Sequence, residues 1–293
     1  MFLHTGNLNV PENIRVIIDT LFVKNAKKSL DKLNLRHRHY IKSEKYKGEI
    51  HFSTGSNTAR SSSNFYALNN GIATLFEIRG VGIGKTSFKR RINSGLAVGF
   101  SFLKTAYENS NFIFNQIDIA NTYTNDIVLQ HERSIYTDVI KAIDIESNEL
   151  IDFSTTMHSS KDSYAISKRD RPLAYIIKKN NYGFIEKLND VGVNYVELEK
   201  DTMIYSGGYK VVEFNNKFKV YEKMKMQKVV TSIEYSNNKF SKGDILISMN
   251  QKRSNLIAEL LEPEAPNSYV SFGIIKTSLN NQLPIYRIKN FNN

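Results

Sequence analysis

Residues 64–79, NFYALNNGIATLFEIR, run from a polar loop into an apolar strand and stop on an acid, Glu77, followed by Arg79 and the turn Gly80-Val81-Gly82-Ile83-Gly84. The end of a buried strand is expected to be a half-dry pocket, where a carboxylate is suited to general-base chemistry. Glu77 is therefore the leading catalytic candidate. The competing reading is a strand-end acid paired with Arg79 or Arg90, and Arg79 itself reads as a structural ion-pair partner.

Working outward, the apolar run Ile72–Ile78 gives a strand, and the segment from about Thr86 to Tyr107 gives a helix. Upstream, Pro11 suits a first helical turn, and Ile14, Ile17, Ile18, Leu21, Leu30 and Leu33 recur at helical spacing, so one long amphipathic helix is expected to about Leu33. Lys47–Phe52 reads as a short strand. Ser53–Asn64, with three serines in a row and Gly55, reads as an irregular loop. Helix, strand, loop, strand and helix make an α/β half.

After about Asn109 the chain turns polar, and a helical lead-out followed by exposed strands is expected over 110–170. Arg171-Pro172 then opens a strand-helix-strand unit: Leu173–Ile177, an amphipathic piece at Tyr182–Asn189, and Val193–Leu198. Short β-rich runs follow at Tyr209–Phe214, Phe218–Tyr221, Val229–Tyr235 and Asp244–Met249, then a helix near Asn255–Leu261. The expected organisation is 1–109, 110–170 as a polar connection, and 171–293 as a small β-rich accessory domain.

Asn64-Phe65-Tyr66 through Leu75-Phe76-Glu77-Ile78-Arg79-Gly80, continuing into Phe88-Lys89-Arg90-Arg91, resembles the C-terminal signature of the M14 zinc carboxypeptidases, in particular the bacterial branch with an extra C-terminal domain. Gly6-Asn7-Leu8-Asn9-Val10-Pro11, Arg171-Pro172-Leu173-Ala174-Tyr175 and Leu260-Leu261-Glu262-Pro263-Glu264-Ala265 are similar to that branch too. The resemblance implies a C-terminal portion of a three-layer α/β/α mixed-sheet domain followed by a small β-rich domain. It implies zinc as cofactor, the C-terminus of a peptide or a similar small amide as substrate, and Glu77 as catalytic base. Arg60, Asn64 and Tyr66, just before the catalytic strand, are the local candidates for gripping the substrate carboxylate, since charge-assisted bonds to a fixed anion set an exopeptidase register. The Arg that often precedes this Asn in the branch is replaced by Ser63.

Family members bind zinc through an H-x-x-E pair and a later His. The sequence has no H-x-x-E, so no metal ligand is assigned and the chain is expected to be an incomplete enzyme. His4 is a candidate for the later His. His37-Arg38-His39 reads as surface histidines, because the neighbouring arginines disfavour a cation. His51, His131 and His158 stand alone.

Two rival readings come from other classes. The first is a non-catalytic relative acting as a binding module, supported by the missing ligands. The second is a P-loop nucleotide binder: Gly80–Gly84 with Lys85-Thr86 follows a strand and opens a helix. G-x-x-x-x-G-K-[ST] needs four residues between its glycines, however, and Gly80 and Gly84 enclose three, with Arg79 where the first glycine belongs. A plain strand-to-helix turn is preferred.

Composition narrows the remaining classes. In 293 residues, 41% hydrophobic content provides a real core, and the length suits one large or two modest domains. The chain reads as soluble, with neither a membrane-spanning run nor a signal-peptide pattern, and with its compartment open. Zero cysteines exclude disulfides and thiolate metal sites. The net charge of +11 invites a nucleic-acid partner. The densest basic stretch, Lys24–Lys47, is interleaved with apolar residues, so its charge reads as a wet helix face and no nucleic acid is expected.

Overall fold

The computed structural model describes residues 1–179, 182–217 and 220–290. Helices and multi-stranded sheets are mixed throughout, as the α/β expectation requires. The chain divides into two compact units, residues 1–120 with 131–164, and residues 121–130 with 165–293.

The first unit opens with β1 (Phe2–Leu3), which pairs antiparallel with Leu75–Phe76. The expected amphipathic helix follows in three joined pieces, α1 (Glu12–Ile17), a π-helical segment Ile18–Val23, and α2 (Lys24–Asp31). Buried Ile14, Ile17, Ile18, Phe22, Ala26 and Leu30 form its core stripe. The π segment interrupts the 3.6-residue period, a detail that the spacing of apolar residues does not expose.

The short strand expected at Lys47–Phe52 is shifted and is half of a hairpin. The strands β2 (Ile41–Tyr46) and β3 (Glu49–Thr54) pair antiparallel around Lys47-Gly48, both at positive φ, 51° and 90°. Two successive positive φ values make the tight turn that matches strand twist. Part of the expected loop Ser53–Asn64 is also ordered, because Ser62–Leu68 forms helix α3 and carries Asn64 and Tyr66.

The strand expected over Ile72–Ile78 contracts to β4 (Leu75–Phe76). Among the described residues its ladder partner is the equally short β1 alone, which limits its length. A 3₁₀ turn at Val81–Ser87 leads into α4 (Phe88–Glu108), then α5 (Ser110–Asn121) and the long strands β5 (Ile127–Ile143) and β6 (Leu150–Arg169), as the polar stretch led one to expect. The sheet of this unit runs β2-β3-β6-β5, with β3 and β6 parallel.

In the second unit come β7 (Ala174–Ile177), α6 (Tyr182–Asp190), β8 (Val196–Glu197), β9 (Thr202–Asn215), β10 (Val220–Tyr221), β11 (Met224–Lys225), β12 (Lys228–Phe240), β13 (Ile245–Ser248), α7 (Ser254–Leu261) and β14 (Gln282–Ile288). Phe218 and Lys219, the start of one expected strand, lie outside the described residues. A six-stranded sheet in the order β12-β9-β14-β7-β13-β8 forms the frame. Ile177, Val211, Ile247, Ile257, Leu261 and Ile285 are all fully buried at its centre. Helix α7 is buried on nearly every face, the pattern of a core helix rather than an amphipathic one.

The acids of Leu260–Ala265 hold this core together. Glu262, wholly buried, accepts hydrogen bonds from Tyr175 Oη (2.6 Å), Tyr209 Oη (2.9 Å) and Arg169 Nη1 (2.6 Å). Arg169 also forks onto Glu264 at 2.8 and 3.1 Å, and Glu264 takes the Thr231 amide and hydroxyl. Burial first, then the Glu262 charge, pushes both tyrosine hydroxyls well above their ordinary range. Burial works against the Glu264 carboxylate, yet the bonds from Arg169 and Thr231 hold its pKa below the usual carboxylate value.

Candidate functional site

The first residues of the chain thread the first unit. Phe2 donates from its amide to Arg38 O (3.0 Å) and accepts from the Tyr40 amide (2.9 Å), while Thr5 bridges Ser56. His4, between them, is packed against Gly55. A Cβ at Gly55 would lie 2.3 Å from His4 Cε1 and Nε2, and Gly55 also sits at φ +75°, so glycine is required there twice over.

His4 is 3% exposed, and neither ring nitrogen has a hydrogen-bond partner. Burial drives its pKa from the ordinary 6.5 down to about 4; Asp19 opposes this shift, while His39 and Lys161 add to it. The imidazole is therefore neutral near pH 7 and offers one free lone pair and one free N–H.

His39, Asp19 and Lys161 stand close enough to act on it, and Lys27 joins the group through His39. His39 lies edge-on with its ring centroid 6.1 Å away, and its Nε2 is 3.0 Å from Lys27 Nζ. Asp19, on the π-helical segment, pairs through Oδ2 with Lys161 Nζ at 2.7 Å. His39 Nδ1 and Asp19 Oδ1 are buried without partners. Burial also lowers the pKa of Lys27 and of His39. Unpaired buried polar atoms each cost about 1–3 kcal/mol, so four of them in one place are a strain that a bound group would relieve. His39 is thus half-buried in this cluster rather than the surface histidine expected, while His37 pairs with Asp31 at 2.8 Å.

The family-derived residues fall around this cluster in different ways. Glu77 is exposed, not held in a half-dry pocket. Its amide donates to Met1 O (2.8 Å), and so it flanks one end of the β1–β4 ladder while His4 leaves the other. Asn64 is fully buried on α3: its Oδ1 accepts from the Gly6 and Asn7 amides (3.0 and 3.2 Å), and its Nδ2 donates to Ser56 O and Thr58 O (2.7 and 3.0 Å). That fills its four hydrogen-bonding positions and makes it a clamp on the His4–Asn7 and Ser56–Thr58 segments. Arg60 and Tyr66 are exposed. Arg79 is exposed too, and its contact is through its carbonyl, which accepts from Arg90 Nη2 at 3.1 Å, rather than through the expected ion pair.

The glycine turn bonds largely within itself. Ser87 Oγ donates to Gly80 O and Gly84 O, and Ile83 N to Gly80 O, so the loop bonds to itself as a strand-to-helix turn. Among the described residues, no group of three or more His, Cys, Asp or Glu could hold a metal ion. His4, with two orphaned nitrogens, fits a single ligand position.

Comparison with known proteins finds sequence likeness to proteins named carboxypeptidase 2. The chain is 29% identical to a protein named carboxypeptidase 2 from Trichophyton equinum, over 99% of this chain and 55% of that protein. It is 28% identical to carboxypeptidase 2 of Trichophyton tonsurans over the same shares, and 28% identical to a probable carboxypeptidase 2 of Arthroderma benhamiae over 89% of this chain and 51% of that protein. The chain thus spans about half the length of the curated relatives it matches. These relatives are fungal, where the sequence motifs had suggested a bacterial branch. No family model matches the chain, and no solved structure matches it. Among the described residues no helix is long and apolar enough to cross a membrane.

Proposed function

We propose that this chain is the C-terminal half of an M14-type zinc carboxypeptidase that removes C-terminal residues from peptides or cleaves a similar small amide. The likeness to carboxypeptidase 2 along 99% of the chain carries the reading. A second observation supports it. Phe88, Ile92, Leu96, Phe100, Leu103 and Tyr107 of α4, spaced along one helical face, are 44 to 85% exposed, an apolar stripe that a complete domain would bury.

In this reading His4 supplies the later histidine ligand, its free nitrogens and neutral state being what a metal requires, and the H-x-x-E pair comes from sequence outside these 293 residues. The zinc, when bound, polarises the scissile carbonyl and acidifies a water. Glu77 would serve as the general base, accepting a proton from the attacking water and returning it to the leaving amine. Arg60, just ahead of α3, and Tyr66, on it, grip the terminal carboxylate, and Asn64 fixes the start of that helix against the chain around it.

The test is a longer protein carrying an H-x-x-E segment ahead of Met1, assayed on a blocked dipeptide. Glu77→Gln keeps the shape but loses the proton acceptor, so turnover should fall by about 10²–10⁴ with KM little changed. Normal turnover in the Gln variant would remove Glu77 from the mechanism. A non-catalytic binding module is the second reading, favoured by the exposure of Glu77 and by the lack of a three-ligand group among the described residues. A longer protein that binds the dipeptide but never releases its terminal residue would establish it.

A further inference from the structure

Two histidines that are 107 residues apart in sequence meet on the four-stranded sheet of the first unit. His51 on β3 and His158 on β6 lie on adjacent parallel strands, in a register that pairs Phe52 with Met157 and Ser53 with His158. His51 Nδ1 is 3.0 Å from His158 Nε2, and the rings stack with centroids 5.2 Å apart. The Tyr46 ring walls the pair, 5.3 Å from His51 and 6.1 Å from His158. On the far side of His51, Nε2 faces the exposed carboxylate of Glu49 at 3.5 Å, a long contact.

We propose that His51 and His158 form a two-histidine site for a divalent transition metal of the zinc and copper class, separate from the His4 cluster. Three features carry this. Two nitrogens bound to one tetrahedral ion at about 2.0–2.1 Å stand about 3.3 Å apart, so the observed 3.0 Å needs only a few tenths of an ångström of opening. A carboxylate on the other nitrogen of a ligating histidine is the outer partner that fixes the ring tautomer and raises ligand basicity, and Glu49 stands there. Both histidines also project from paired strands, a rigid base that holds a site better than loops.

The chemistry selects the ion. Imidazole suits copper, nickel and zinc, whereas calcium and magnesium want oxygen cages. Lys47 Nζ, over the Tyr46 ring at 5.4 Å, opposes every cation alike, so an ion here is held by the imidazole nitrogens and not by the surrounding charge. Since no third His, Cys, Asp or Glu converges among the described residues, water completes the coordination. The site stands independently of the hydrolase reading.

Zinc chloride and copper chloride titrated calorimetrically into the purified 293-residue chain test it. One saturable ion per chain is expected, tighter for copper by the usual order of divalent affinities. His158→Ala and His51→Ala should each abolish saturation at concentrations that fill the unaltered chain. Glu49→Gln, on an exposed residue that cannot endanger the fold, should weaken binding about 10- to 100-fold. His37→Ala should leave binding intact. An unaltered chain that shows no saturable binding would overturn the proposal. So would binding that survives His158→Ala, or binding lost on His37→Ala alone.

Discussion

Both units bury charge, and they do so in opposite ways. In the second unit the carboxylates of Glu262 and Glu264 accept from Tyr175, Tyr209, Thr231 and Arg169, which is forked between them, although Nε of the neighbouring Arg287 is buried without a partner. In the first unit His4, Asp19 and His39 hold four buried atoms with no partner at all. A buried polar network whose acids are saturated is a fastener; one left unsatisfied costs stability and persists where something else is to be bound. The contrast sets the Leu260–Ala265 segment apart as a bonded fastener from the unsatisfied neighbourhood of His4, where the proposed function puts its metal ligand.

The sharpest way to break this comparison is to unfasten the second unit. Arg169→Met strands two buried carboxylates and should cost about 3–5 kcal/mol, read by urea unfolding followed through the tyrosine near-ultraviolet signal. A cost below about 1 kcal/mol would mean that the network is not structural.

Next in size is the acid response of the first unit. The folded chain keeps His4 neutral, with a pKa of about 4 against 6.5 when unfolded. Between those values the unfolded chain binds the extra proton, so this contribution is complete above pH 6.5 and is lost as pH falls toward 4. The loss is on the order of 3 kcal/mol. His4→Leu should abolish it while leaving stability at pH 7 within about 1 kcal/mol, because two unpaired nitrogens go with the ring. Unfolding curves recorded across that pH window decide the matter; a Leu variant as acid-sensitive as the parent would take His4 out of the account.

Asn64→Ala should follow, at about 2–3 kcal/mol, since it releases two backbone amides and two carbonyls that have no solvent to turn to. If thermal unfolding moved little and ligand binding fell instead, Asn64 would belong to the substrate after all. The smallest effect is expected of Glu77→Gln on stability, within about 0.5 kcal/mol, because an exposed side chain is replaced by one of its own shape. A larger loss would make Glu77 an ion-pair acid.

How much of this was legible in the sequence differs from element to element. The amphipathic stripe from Ile14 to Leu30 was plain because apolar residues at helical spacing have one way to be buried, although its π-helical segment was not, since one extra residue per turn leaves the composition unchanged. The Lys47-Gly48 turn was misread as strand because positive φ at a lysine has no strong sequence mark. Asn64 was placed on a loop, as asparagines usually are, and was found inside a helix, buried by contacts with Gly6 and Asn7 that lie almost sixty residues away in sequence.

The sequence by itself determined the α/β character, the order of most elements and the likeness to proteins named carboxypeptidase, all of which reside in local periodicity and in runs of contiguous residues. Only the tertiary structure decided which histidines are partners, which acid is buried and which asparagine is saturated. His51 and His158 read as solitary residues until β3 and β6 pair, and Glu262 is an ordinary acid until two tyrosines and an arginine close on it. Burial and hydrogen-bond satisfaction are properties of residues distant in sequence brought together, and they set the environment that turns a side chain into a fastener or a site.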